Sequence, residues 1–111
     1  MDHIFQQRNC KPCEKIGQTL SDKAIQAWLG SHPQWSLEDT RLRREITFSN
    51  YFETMAVVNA IAFVAHREDH HPDLQVGYNR LVVDLCTHAL GGITENDLIV
   101  AECIESLIKG D

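Results

Sequence analysis

The sequence predicts an α+β fold: one four-stranded antiparallel sheet with three helices on one face, in the order α-β-β-α-β-β-α. Three observations lead there. Residues 35–48 and 74–88 alternate apolar and polar side chains with the period of two of a half-buried strand, and turn-forming residues interrupt each stretch once. Three other stretches carry apolar residues at helical spacing behind capping residues. With 111 residues there is room for one core only, and two hairpins plus three helices fill it as a single sheet covered by helices.

Residues 1–18 are polar, contain Lys11, Pro12 and Gly17, and keep no sustained period, so they are read as an arm over the surface, with residues 19–111 as the domain. Ser21 can cap a first helix that places Ile25, Trp28 and Leu29 on one face, and Gly30 is placed to end it before His32 and Pro33. Trp35 and Leu37, then Leu42, Ile46 and Phe48, recur at even spacing with Arg41, Arg43 and Glu45 between them. That is two strands joined by a turn at residues 38–40, with Arg44 as the misfit in the alternation. Ser49 or Asn50 opens a second helix, since Asn50 has Glu53 three residues on. Phe52, Met55, Ala56, Ala62, Phe63 and His66 fall on its overlapping faces. It must stop before Pro72, because the residue preceding a proline is pushed out of the helical region.

Leu74, Val76 and Tyr78 alternate, Asn79 and Arg80 can turn the chain, and residues 81–88 then read as the last strand. On it Leu81, Val83, Leu85 and Thr87 share one face and Val82, Asp84, Cys86 and His88 the other, so His88 is expected at the strand end, and Tyr78 as a packed strand aromatic. Gly91 and Gly92 break the pattern. Thr94 begins a capped helix with Asp97 in its first turn and Ile99, Val100, Cys103, Ile104, Leu107 and Ile108 available for packing. The uncovered face or edge of so small a sheet makes a homo-oligomer the expected assembly.

Composition narrows the function. Ten Lys and Arg against sixteen Asp and Glu leave a formal charge of −6, which would repel a phosphate backbone, so no direct nucleic-acid contact is expected. No membrane contact is expected either, because no stretch approaches the roughly 18 apolar residues of a spanning helix; the first residues lack the apolar block of a signal peptide, and the cytoplasm is the default compartment. The four cysteines, Cys10, Cys13, Cys86 and Cys103, read as free thiols, two of them inside apolar patterns. Cys10 and Cys13 have CxxC spacing, but a lone pair in a polar arm is a weak signal. There is no glycine-rich phosphate loop and no GxSxG element.

The histidines carry more. His66, His70, His71 and His88 lie within 23 positions, where an even scatter of six would place roughly one. Each taken singly is read as structural, for instance a helix C-terminal cation or a hydrogen-bonded strand residue. Together, at element ends, they suggest proton transfer, because imidazole both gives and accepts a proton near neutrality. A metal centre is disfavoured: His66 and His70 have i, i+4 spacing, but Glu68 stands one residue late for the HExxH arrangement.

The run of His66, then His70, His71 and Pro72, then Tyr78, His88 and Asp97 resembles, at these intervals, the signature of the pterin-4a-carbinolamine dehydratase family. The likeness covers roughly residues 18 to 108, through the helix start at Leu20 and Ser21, the step Pro33, Gln34 and Trp35, Phe48, and the closing helix from Thr94. The resemblance implies the fold read above, assembled as a homodimer or homotetramer. It implies dehydration of 4a-hydroxytetrahydropterins to quinonoid dihydropterins, recycling the cofactor spent by aromatic amino acid hydroxylases, which makes such a hydroxylase a pathway partner. No cofactor and no metal are implied for the dehydratase itself. By motif, the family's catalytic histidines correspond to His70, His71 and His88, its acidic helper to Asp97, and its substrate contacts to Asp69, Pro72, Cys86, Thr87 and Ala89. His66 is read as structural or supporting. Leu74 stands where many members carry an aromatic, which weakens stacking on the pterin or at the interface. The competing reading is a non-catalytic interaction or dimerisation cofactor, or a pterin-binding assembly factor without turnover.

Overall fold

The computed structural model describes Cys10 and residues 17–109. Helix α1, Asp22–Ser31, begins where the Ser21 hydroxyl accepts the Ala24 N–H at 3.1 Å. It runs through Gly30 rather than ending there. His32 closes it instead: its N–H donates to Leu29 O, its Nδ1 lies 2.8 Å from Trp28 O, and its ring stacks on Trp28 at 3.9 Å.

Strands β1, Trp35–Glu38, and β2, Arg41–Thr47, pair antiparallel across a two-residue loop in which Asp39 takes φ +60°. Helix α2, Tyr51–Glu68, starts at Asn50, whose Oδ1 accepts the Glu53 N–H at 2.9 Å, while Glu53 Oε1 accepts the Ser49 N–H at 3.0 Å. Strands β3, Asp73–Val76, and β4, Arg80–Leu85, complete a sheet of order β1-β2-β4-β3. A short 3-10 turn, His88–Leu90, leads to helix α3, Glu95–Lys109. Element order and antiparallel sheet are those expected.

One apolar cluster joins Ile25 of α1, Ile61 of α2 and Val100, Ala101 and Ile104 of α3 to Leu42, Ile46, Leu81, Val83 and Leu85 of the sheet. All three helices therefore cover the same face. The opposite face is polar: Arg43 holds the buried Asp84 through two bonds of 2.8 and 2.9 Å, and Arg80 meets Glu45 at 2.9 Å. No described helix is long and apolar enough to cross a membrane.

Four expectations need correction. Arg44 is no misfit: paired with Trp35 and Val83, it occupies an inward position between Leu42 and Ile46, and Glu105 of α3 neutralises it at 2.6 Å while also accepting the Trp35 Nε1–H at 2.9 Å. A half-buried charge persists there because its counter-charge is delivered with it. On α2 the buried positions are Thr54, Ile61, Val64, Ala65 and Glu68, while Phe52 and Phe63 stand outside, 82% and 66% exposed. The helix is apolar on more than one side, and periodicity alone cannot choose the inward one. Tyr78 lies in the turn between β3 and β4, exposed and stacked on Tyr51 at 6.2 Å, rather than packed in a strand. His88 does not end β4, which stops at Leu85; Thr87 forms an isolated bridge to Gly92 that folds the chain back on itself.

Candidate active site

The cleft forms where α2 ends, β4 ends and α3 begins. Asp69 terminates α2 in the left-handed conformation, φ +52° and ψ +43°, with its N–H shared between Ala65 O and His66 O. The chain reverses there, the His70 N–H also turns back to Ala65 O at 3.1 Å, and the His70 ring goes inward. The bridge between Thr87 and Gly92 closes a compact loop in which Gly91, at φ +70°, caps the 3-10 turn carrying His88. A Cβ on Gly92 would meet Thr19 Cγ2 at 3.0 Å, so the connection is packed close beneath the chain leading to α1.

Asp97 anchors the centre. It is fully buried in the first turn of α3, and its Oδ2 accepts the Thr94 N–H at 2.8 Å, the reciprocal half of a capping box. The same oxygen accepts the Thr87 hydroxyl at 2.8 Å, and Thr94 Oγ1 lies 2.7 Å from Thr87 Oγ1. With the Thr87 proton given to Asp97, the Thr94 hydroxyl is the donor in that last contact. The other carboxylate oxygen, Oδ1, lies 2.6 Å from His70 Nε2. A carboxylate accepts only, so Nε2 carries the proton and Nδ1 is the nitrogen left for a ligand.

Asp69, His70, His71, Cys86, Thr87, His88 and Ala89 line an open cleft of about 180 Å³. His70 and Thr87 are its buried members; His71 and His88 are exposed. His88 Nε2 stands 3.9 Å from Asp73 Oδ2 at the rim. Burial above all, and then the Asp97 charge, push the Cys86 thiol up from its ordinary value. The thiol is therefore kept neutral, a lining group rather than a nucleophile.

The structure thus brings together the three histidines, Asp97 behind His70, and Asp69, Cys86, Thr87 and Ala89. Pro72 is half-buried and outside the lining, and His66 lies exposed on the last turn of α2. Sequence reasoning missed two parts. Thr94 belongs to the Asp97 network, which its place three residues before an acidic residue signals. Glu68 holds Cys10: its Oε1 accepts the Cys10 N–H at 2.8 Å, and Cys10 Sγ lies 3.7 Å from Asn96 O. No local signal marks that long-range tie. Cys13, the partner in the CxxC spacing, lies outside the described residues.

Comparison with known proteins identifies the family. The family description "Pterin 4 alpha carbinolamine dehydratase" matches residues 18–107. The chain belongs to the pterin 4 alpha carbinolamine dehydratase family. Relatives provisionally named pterin-4-alpha-carbinolamine dehydratase include one from Nitrosomonas europaea, 48% identical over 92% of this chain and 91% of its own length. One from Nitrosospira multiformis is 45% identical over 92% and 90%. Among solved structures, the transcriptional coactivator/pterin dehydratase from Brucella melitensis superposes with a TM-score of 0.77 at 26% identity, covering 80% of this chain and 97% of that one. A pterin dehydratase-like protein described as a RuBisCO assembly factor in the alpha-carboxysome shares the fold, with a TM-score of 0.56 at 20% identity over 66% of this chain and 84% of that one. Proteins of this fold are thus described both as a transcriptional coactivator/pterin dehydratase and as a RuBisCO assembly factor, and fold alone does not decide between those uses.

Proposed function

We propose that this chain dehydrates 4a-hydroxytetrahydropterins to quinonoid dihydropterins by histidine acid-base catalysis, recycling a tetrahydropterin cofactor spent by an aromatic amino acid hydroxylase. The observation that carries the reading is the His70 ring, fixed by a fully buried carboxylate at 2.6 Å, in one cleft with His71 and His88. In the reaction the N5–H bond breaks, its electron pair forms the C4a=N5 double bond, and the C4a–O bond breaks as the hydroxyl takes a proton and leaves as water. His70, with Nε2 held by Asp97, offers the Nδ1 lone pair to the N5 proton. Asp97 keeps that ring in one tautomer and balances the imidazolium that forms. His88, carried on the other side of the Asp97 network, delivers the proton to the departing hydroxyl, and His71 binds the substrate and supports proton return. Asp69, Pro72, Cys86, Thr87 and Ala89 shape the surface that the heterocycle meets.

Stopped-flow absorbance with chemically generated 4a-hydroxytetrahydropterin tests this. The protein should accelerate dehydration over the spontaneous reaction, and His70→Ala or His88→Ala should each lose about 10²- to 10⁴-fold while the fold persists. Undiminished turnover in both variants would overturn the assignment. The exposed Phe52 and Phe63 on α2 favour a second copy of the chain as their cover, hence a homodimer or homotetramer.

A further inference from the structure

Arg41 is the first residue of β2, and nothing in the acid-base chemistry uses it. Paired strands β2 and β4 hold Leu42 opposite Leu85 and Arg43 opposite Asp84, so the same register carried one residue further sets Arg41 opposite Cys86. His71 precedes β3 by two residues and Cys86 follows β4 by one, so both stand at the end of the sheet where β2 begins with Arg41. Two of these three, Cys86 and His71, line the cleft. The preceding residue, Thr40, and the Arg41 charge both act on the Cys86 thiol, each favouring its ionised form. Arg41 therefore stands on the β2 lip of the cleft.

Among the described residues its guanidinium makes no short bond to a carboxylate. Arg43 takes both oxygens of Asp84, at 2.8 and 2.9 Å. Arg41 Nη1 is left 3.9 Å from Asp84 Oδ2, with 41% of its side chain exposed. Arg43 thus takes both hydrogen bonds of Asp84, and Arg41 keeps only the longer ion contact with it. Glu38, the cross-strand neighbour of Arg41 on β1, is held by the Ser36 hydroxyl at 3.1 Å, and Asp73 faces His88. Among the described residues Arg41 has no carboxylate within hydrogen-bonding distance. In a chain of charge −6, whose cleft rim carries Asp69 and Asp73, a guanidinium with no short carboxylate bond is the group that would welcome an anion.

We propose that Arg41 reads the C6 side chain of the bound pterin and favours substrates in which that chain carries a carboxylate or a phosphate. The inference rests on the pterin site of the preceding section and adds its side-chain preference. Fluorescence titration at low salt with three unreactive oxidised pterins tests it: neutral 6-hydroxymethylpterin, its phosphate ester, and pterin-6-carboxylate. At least one anionic pterin should bind about tenfold more tightly than the neutral one, as a charge-assisted contact gives, and the tighter of the two identifies the anion. Arg41→Gln should abolish that margin and move the neutral ligand less than twofold; Arg41→Lys should keep part of it. Equal binding of all three pterins, or equal loss of all three in Arg41→Gln, would overturn the role of Arg41 and leave the pterin site standing. Binding of none would overturn both.

Discussion

At the scale of single residues, Asp69 and Asp97 show two unlike uses of a carboxylate. Asp97 satisfies three donors in a buried place, so Asp97→Ala strands the Thr94 N–H, the Thr87 hydroxyl and the His70 ring together. It should cost about 3 kcal/mol or more in urea unfolding. Asp69 is exposed and holds a left-handed backbone, which is costly for a residue with a Cβ and cheap for glycine. Asp69→Gly exchanges that strain against extra unfolded-state freedom, so the urea midpoint should move by less than about 1 kcal/mol, while affinity for 6-hydroxymethylpterin falls. A large loss of stability in Asp69→Gly would mean that the carboxylate serves the helix end and not the ligand. The sequence marked Asp97 by its place in the first turn of a helix, and Asp69 only through the family resemblance. It could not show that Asp97 and His70 meet, because 27 positions separate them and only the packing of α2 on α3 brings them together.

Among the elements, the strands were more legible than the helices, and the reason is geometric. A period of two assigns each residue of β2 to a face, and even Arg44 kept its place in the alternation; what the pattern lacked was the distant Glu105 that makes an inward arginine tolerable. The end of β4 was misread because Thr87 remains extended after Leu85 but pairs with Gly92 rather than with a strand. For α2, Val57, Val58 and Ile61 on one side and Phe52 and Phe63 on another are all apolar, so no single stripe stood out. The outer pair is itself informative, since two fully formed aromatic surfaces in water on one helix are costly unless covered. In sedimentation velocity the protein should run as a dimer or tetramer, and Phe52→Lys with Phe63→Lys should return it to a monomer with unchanged helix content. A monomeric wild-type chain would remove the α2 face as an interface.

For the molecule as a whole, the junction of α2 and α3 that builds the cleft also sets a limit on alkaline stability. Cys103 packs there with Val64 and Ile99, and Cys10 lies against the same cluster. Burial pushes the Cys103 thiol from about 9 up to about 11, and burial followed by the Glu68 charge pushes Cys10 up to about 12. A thiol whose value is raised on folding stays protonated in the native state while the unfolded chain is already ionised. Below pH 9 both states hold the proton and stability is flat. Above it the unfolded state gains from ionisation, so stability falls as pH rises, from 9 to about 11 for Cys103 and to about 12 for Cys10. Tyr and Lys titrate in the same window, so the slope must be compared between proteins and not read alone. Cys103→Ala should start lower, because it removes a buried sulfur atom, but its urea midpoint should decline less steeply between pH 9 and 11 than that of the wild type. Parallel declines would mean that the Cys103 thiolate is accommodated within the fold, with Arg67, whose Nη2 lies 3.8 Å from its sulfur, as the compensating cation.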